Sequence, residues 1–354
     1  MSNRVIAVGM SGGVDSSVAA ALLQEQGEQI IGLMLRLWSA GPETENRCCT
    51  PRDVANARAV AAQLGIPFHV LDAREVFKQY VVDSFVNGYA HGITPNPCLQ
   101  CNRFVRWGFL LEQAQAIGAT HLATGHYARL QSHADRRLLL RACDRSKDQS
   151  YVLSVLTQQQ LSCTILPLGD WTKQEVRRYA RSRGFPSAQR EESQDLCFLG
   201  GMDYRDFLRS QRPHSLEPGP IENLAGEVLG THHGLAAYTI GQRRGLGIAH
   251  AEPLYVIEKD LPRNTLLVGT RSQLGRKQFQ IGDTHWIAGE PPDPGDPLLV
   301  RVRYKASEVG ARLMPLNGDQ VKVLLDQALP DITPGQRAVF YQNEICLGGG
   351  TILP

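Results

Sequence analysis

The stretch Val5-Ile6-Ala7-Val8-Gly9-Met10-Ser11-Gly12-Gly13-Val14-Asp15-Ser16-Ser17 constrains this chain more than any other. A short apolar run of β type meets a Ser-Gly-Gly turn, and an Ala/Leu-rich helix then opens on Asp15-Ser16-Ser17. The glycines stand where the backbone must curl tightly, so amide N–H groups point at the helix mouth with small hydroxyls beside them. Such a pocket takes phosphate or pyrophosphate. The spacing is not the Walker pattern, which ends in Gly-Lys-Ser/Thr. Any strand, glycine turn and helix in a doubly wound sheet has a similar outline, but the complete Ser-Gly-Gly-Val-Asp-Ser-Ser at a first βα junction favours the nucleotide reading.

The 354 residues exceed the usual size of one domain, and the pattern divides into three. Residues 1–200 read as α/β: apolar runs at 5–8, 30–35, 68–71 and 121–124 alternate with helical patterns. That alternation predicts a parallel sheet with ligands at the carboxyl ends of its strands. Thr50, Pro51 and Asp53 read as N-cap, first-turn proline and acidic N3 of a helix that runs to Leu64 and stops at Gly65. Gly27 and Gly118 end two other helices in the same way. Residues 201–275 are broken by Pro213, Pro218, Gly219, Pro220, Gly226, Gly230 and Gly234 into a small connecting domain. Residues 276–354 show alternating stretches, such as 321–325 and 338–341, between turn residues, and predict a compact all-β barrel.

A hydrophobic fraction of 42% and a charged fraction of 20% suit a soluble globular protein. No stretch approaches a membrane span and no signal-peptide pattern precedes Val5, so a cytoplasmic protein without a membrane partner is expected. The net charge of +2 hides arginine-rich groups: Arg177, Arg178, Arg181, Arg183 and Arg190; Arg205, Arg209 and Arg212; Arg243 and Arg244. A further basic group holds Arg271, Arg276, Lys277, Arg301, Arg303 and Lys305. Such patches fit a local polyanion footprint as well as they fit solvated helix faces.

Eight cysteines at irregular spacing in so long a chain do not form a secreted disulfide scaffold. Cys98 and Cys101 make one C-x-x-C, and zinc there would need two more ligands, which the adjacent Cys48 and Cys49 are badly placed to give. No metal site is expected. Cys197, in Glu192-Ser193-Gln194-Asp195-Leu196-Cys197-Phe198, stands in a polar approach with Arg190 nearby to favour a thiolate. Cys143, Cys163 and Cys346 read as small core residues. The phosphate loop resembles the SGGxDS loop of the ATP pyrophosphatases, which leave AMP on their substrate. With two candidate reactive cysteines this resemblance points to sulfur chemistry: adenylation makes a carbonyl-type oxygen a leaving group, and a persulfide displaces it.

The chain resembles the bacterial tRNA-specific 2-thiouridylases, ATP pyrophosphatases with an SGGxDS phosphate loop, over essentially its full length. The resemblance is carried by residues 9–17, 94–102, Gly125-His126-Tyr127-Ala128-Arg129, Lys147-Asp148-Gln149-Ser150-Tyr151, 193–198, 238–247 and Leu347-Gly348-Gly349-Gly350-Thr351-Ile352. It implies ATP-dependent replacement of O2 by sulfur on the wobble uridine of a few tRNAs, those for Lys, Glu and Gln, with release of AMP and pyrophosphate. Cys101 then corresponds to the nucleophile and Cys197 to the persulfide carrier, supplied by a cysteine desulfurase or sulfur relay protein. Gly9, Met10, Ser11, Gly12, Gly13, Val14, Asp15 and Ser16 would hold the ATP phosphates, with Mg²⁺ at Asp15, and Leu35 and Gly125 would meet the adenosine. Asn96, Pro97 and Cys98 would meet the target base. His126, Lys147, Asp148, Gln149, Arg303, Tyr304 and Gln336 would lie against tRNA. Some relatives carry Asp where this chain has Cys98, which leaves the acid/base group open. Arg106 and Trp107 read as the surface and the core of one helix.

The nearest rival is another ATP pyrophosphatase that adenylates and then amidates, which needs no paired cysteines. An RNA-binding protein switched by ATP, and a thiolase with an iron–sulfur cluster on Cys98 and Cys101, are further alternatives.

Overall fold

The structure is a computed structural model that describes residues 4–40, 49–189, 196–212, 216–316 and 318–354. Cys48, Arg190 and the Glu192–Asp195 part of the Cys197 motif lie outside the described residues. The first part of the chain runs β1 (Val5–Gly9), α1 (Val14–Glu25), β2 (Gln29–Arg36), α2 (Pro51–Leu64), β3 (Phe68–Asp72), β4 (His121–Thr124), β5 (Ala128–His133), β6 (Arg136–Arg141) and β7 (Thr164–Ile165). Strands β3-β2-β1-β4-β7 form one sheet, parallel throughout. The strand order reverses between β1 and β4, so the crevice beyond their carboxyl ends is the place where an α/β sheet takes its ligand.

Local signals set these elements. Thr50 and Asp53 close a capping box on α2, Pro51 fills its first turn, and Gly65 ends it in the left-handed region at φ 65°. Gly27 and Gly118 also take positive φ, the backbone the helix ends required. Helix α1 is buried on nearly every side, with Val18, Ala19, Ala20 and Ala21 all inaccessible. A helix apolar all round belongs inside, and α1 packs between the sheet, α2 and the helix Lys173–Ser182, whose Val176 and Ala180 join the same core.

The central part contains β8 (Gly219–Asn223), β9 (Val228–His232), β10 (Tyr255–Asp260) and β11 (Thr265–Gly269), which pair as β10-β11-β8-β9. The last part holds β12 (Arg276–Trp286), β13 (Leu298–Arg301), β14 (Val309–Pro315), β15 (Val321–Leu329), β16 (Arg337–Gln342) and β17 (Ile345–Ile352). These run antiparallel in the order β12-β15-β14-β13-β16-β17, and a β12–β17 pairing closes the barrel. Closure removes the sheet edges.

One feature departs from a simple reading of residues 1–200 as α/β. The hairpin β5–β6 leaves the parallel sheet and adds to the barrel, with Ile345 opposite Leu140 and Cys346 opposite Leu139. Its anchor is polar: Arg141 is buried, ion-paired to Glu308, and stacked 3.8 Å over the Tyr341 ring. The antiparallel hairpin gave no strand-and-helix alternation, so the pattern that predicted the sheet did not register it.

Candidate functional site

The Ser-Gly-Gly turn sits at the reversal of strand order. Gly12 takes φ +69°, and a Cβ there would lie 2.3 Å from the Asp53 carbonyl oxygen, so both backbone and space require glycine. Gly13 caps α1 without any side-chain hydrogen bond, which leaves the first amides of the helix to a ligand. The hydroxyls turn inward: the Ser11 amide donates to Ser16 Oγ at 3.1 Å, and Ser16 and Ser17 donate to the Gly13 carbonyl at 3.2 and 2.9 Å. Gly125, just past β4, closes the other wall, since a Cβ there would stand 2.7 Å from the Ser16 amide nitrogen. Leu35 is half-buried near the end of β2.

Asp15 lies in the first turn of α1 and accepts from the Tyr127 hydroxyl at 2.7 Å and from Lys173 Nζ at 2.6 and 2.7 Å. The Lys173 side chain is 10% exposed and that of Asp15 33%, so the carboxylate keeps an open flank. One carboxylate beside a phosphate-binding loop is a donor set Mg²⁺ accepts when substrate phosphates complete its shell. Lys173 is absent from the sequence reading. Its only local signal is the Thr172–Glu175 capping box, which marks a helix start and not a partner for Asp15.

Cys101 and Cys197 are both half-buried and pack against one apolar cluster that includes Phe77, Val81, Phe85, Val105, Phe198 and Phe207. Cys197 opens the short turn Cys197–Leu199 and lays its side chain against that apolar cluster. Asn96 caps the helical turn Pro97–Gln100 by accepting from the Cys98 amide at 3.1 Å. Pro97 is buried under it, and Cys98 is exposed. From Cys101 the chain continues helically to Leu110 in a wide π-type winding, a form that recurs at functional sites. Beside this segment a cavity of about 400 Å³ opens between Asn87, Asn96 and Arg103 on one side and Asp283 and Arg337 of the barrel on the other. The segment is fixed to the barrel by the Thr94 amide donating to the Pro334 carbonyl at 2.8 Å and by Gln336 Nε2 donating to the Thr94 carbonyl at 2.8 Å.

The other cysteines divide differently from expectation. Cys346 is buried, and burial pushes its thiol up to about 12. Cys163 is half-buried. Cys143 is exposed, because it follows β6 at the point where the chain leaves the barrel, with its sulfur 3.9 Å from Asp170 Oδ1. Among the described residues no group of three or more His, Cys, Asp or Glu side chains could hold a metal ion.

The residues expected near tRNA fall into two groups. Lys147, Gln149, Arg303, Tyr304 and Gln336 are half-buried and reach the surface. Asp148 is buried and accepts from the Ala142 amide at 3.0 Å and the Ser150 hydroxyl at 2.9 Å, which commits it to holding its own turn. His126 is also buried, and burial with the neighbouring Arg106 guanidinium holds its imidazole well below the usual range, hence neutral. Gln149 accepts from the Tyr127 amide at 2.9 Å, tying the 147–149 turn to the strand that follows the phosphate crevice. Arg303 Nη2 donates to the Ile240 carbonyl at 3.0 Å and to Thr333, while burial lowers its guanidinium from the ordinary value. Tyr304 lies 6.1 Å from the Tyr151 ring. Arg106 is no surface residue: it is half-buried and hydrogen-bonded to Asn102 and His126. Trp107 is core, as its apolar spacing predicts.

Three sequence families match in chain order: the tRNA methyl transferase HUP domain over residues 4–201, the tRNA methyl transferase PRC-barrel domain over 205–270 and the aminomethyltransferase beta-barrel domain over 276–352. The chain is 47% identical over 350 residues to the tRNA-specific 2-thiouridylase of Chloroflexus aurantiacus, covering 98% of both chains. This chain belongs to the tRNA-specific 2-thiouridylase family. The 2-thiouridylase of Moorella thermoacetica is 46% identical over 351 residues, again with 98% of both chains covered. Family membership accounts for the parallel-sheet domain, the central strands and the closed barrel as one ordered set. No described helix is long and apolar enough to cross a membrane.

Proposed function

We propose that this protein is a tRNA-uridine 2-sulfurtransferase, exchanging O2 of the wobble uridine for sulfur at the cost of ATP. The observation that supports this most directly is the packing of Cys101 and Cys197, far apart in sequence, on one apolar cluster. The Arg106–His126 contact links the helix carrying Cys101 to the end of β4 at the phosphate crevice. In the proposed sequence, uridine O2 attacks the α-phosphorus of ATP and pyrophosphate leaves. The terminal sulfur of a Cys197 persulfide then attacks C2, and the C2–O bond breaks to release AMP. The Cys101 thiolate attacks Cys197 Sγ, which breaks the S–S bond, leaves 2-thiouridine and joins the two cysteines in a disulfide. An external thiol reduces that disulfide, and a cysteine desulfurase or relay protein reloads Cys197.

Asp15 would hold Mg²⁺ when ATP is bound, and Mg²⁺ supplies charge neutralisation on the phosphates. Asn96, Pro97 and Cys98 would face the extruded base, since a base must leave its stack to be modified. Lys147, Gln149, Arg303, Tyr304 and Gln336 would border the tRNA, with His126 and Asp148 positioning them from inside. The substrates would be the tRNAs for Lys, Glu and Gln, in the cytoplasm. The test is mass analysis of nucleosides from unmodified tRNA after incubation with ATP, Mg²⁺ and a persulfide donor. 2-Thiouridine formed in step with AMP is expected; AMP release with unchanged uridine contradicts the proposal.

A further inference from the structure

We infer that Lys173 is a phosphate-binding residue of the nucleotide site, contacting the β- and γ-phosphates that leave as pyrophosphate. The inference rests on the adenylation reading and adds a residue to it. The loop of residues 11–16 lacks the lysine with which a Walker loop offsets polyphosphate charge, yet it must receive the same charge. Lys173 supplies a cation at the same mouth from elsewhere in the chain. Its Nζ lies 2.6 Å from Asp15 Oδ1, in the first turn of α1, where the uncapped amides await an anion.

Delivery of this lysine is built into the fold. Thr172 caps the helix Lys173–Ser182, and the Lys173 amide donates to Asp144 Oδ2 at 3.0 Å, fixing where the side chain begins. Val176 and Ala180 of the same helix pack in one core with Val14 and Val18 of α1. The ammonium also lies 5.7 Å from the centre of the Tyr127 ring, whose hydroxyl binds the same Asp15 oxygen. A nearly buried ammonium needs a negative partner. Asp15 provides one. Its open flank lets a polyphosphate enter beside it, and Lys173 then meets phosphate oxygens with little movement. A charge-assisted contact of this kind changes affinity by at least about tenfold.

Equilibrium dialysis of labelled ATP and AMP, with EDTA present, tests the assignment on wild type, Lys173→Met and Lys173→Arg. Lys173→Met is expected to weaken ATP at least tenfold and to leave AMP within about twofold, with Arg restoring part of the loss. Persulfide loading of Cys197 and tRNA affinity should match wild type, which shows that the fold survives. The decisive comparison is made in an Asp15→Asn background. A phosphate ligand still costs ATP affinity there when replaced by Met, whereas a mere counter-ion of Asp15 costs nothing further. Equal losses for ATP and AMP, or no loss in that background, overturn the assignment. If wild type thiolates tRNA while Lys173→Met binds ATP normally, only the Lys173 role fails. If the ATP effect appears and no thiouridine is ever formed, the sulfurtransferase reading fails and the Lys173 role stands.

Discussion

Arg106 Nη1 donates to His126 Nε2 across 2.8 Å, and a guanidinium has nothing with which to accept. The imidazole proton therefore sits on Nδ1, where it donates to Thr124 Oγ1 at 2.8 Å. This chain joins the end of β4 to the helix that begins at Cys101. It holds only while the ring is neutral, because a second ring proton would point at the guanidinium.

His126 thus binds no proton when folded at pH values where it does so unfolded, at about its ordinary value of 6.5. Stability is full above that pH and falls as the pH drops below it, since the unfolded state then binds more protons. His126→Gln is expected to lower stability at pH 7 yet to lose less than wild type between pH 7 and pH 5. Urea midpoints at the two pH values measure this. An equal loss in both proteins contradicts the neutral assignment.

The two cysteines should separate in function. Cys197→Ala should accumulate no protein persulfide, whereas Cys101→Ala should load sulfur and not deliver it. Both should bind ATP as wild type does, since neither lies in the phosphate loop. Under oxidising conditions without tRNA, wild type should form a Cys101–Cys197 disulfide, which needs their Cα atoms within about 7 Å in some conformation. Peptide mapping that finds Cys98 joined to Cys101 and Cys197 unreactive contradicts this division.

The basic residues of the proposed RNA footprint should not behave alike. Arg243 is exposed, so Arg243→Ala should weaken tRNA binding and flatten its salt dependence by about one unit. Arg303 instead joins the Ile240 carbonyl and Thr333, so Arg303→Ala should chiefly lower stability. Binding measured across a salt series, with parallel thermal melts, checks both. An unchanged slope for Arg243→Ala would make it ordinary surface.

Lys259, on β10, has a buried Nζ with no hydrogen-bond partner among the described residues, 5.9 Å from the centre of the Tyr89 ring, and burial lowers its ammonium to about 8. The folded state gives up this proton before the unfolded state does. Stability should therefore rise between about pH 8 and the ordinary value of 10.5. Lys259→Met should stabilise the protein at pH 7 by about 1–2 kcal/mol and abolish that rise. Destabilisation at both ends of the range would contradict it.

Four strands of the parallel sheet, β1 to β4, and the caps of α2 were legible because each depends on residues a few positions apart, whereas β7, two residues long, was too short to show a pattern. Thr50, Pro51, Asp53 and Gly65 state their geometry locally, and so does the Ser-Gly-Gly turn. The Lys173–Asp15 pair was not legible, since it depends on how one helix packs against another. The exposure of Cys143, the burial of Asp148 and the embedding of Arg106 between Asn102 and His126 have the same origin. Cys143 and Asp148 sit where the chain passes from the β5–β6 hairpin back to the first domain, and Arg106 sits mid-helix against the end of β4; no periodicity marks such contacts.

A single turnover tests the central claim most directly. Protein carrying an isotopically labelled persulfide on Cys197, freed of its donor, is mixed with ATP, Mg²⁺ and unmodified tRNA. The account predicts labelled 2-thiouridine, AMP and pyrophosphate in equal amounts, and a Cys101–Cys197 disulfide in the spent protein. Unlabelled 2-thiouridine, or thiolation by a Cys197→Ala protein at the wild-type rate, would contradict it.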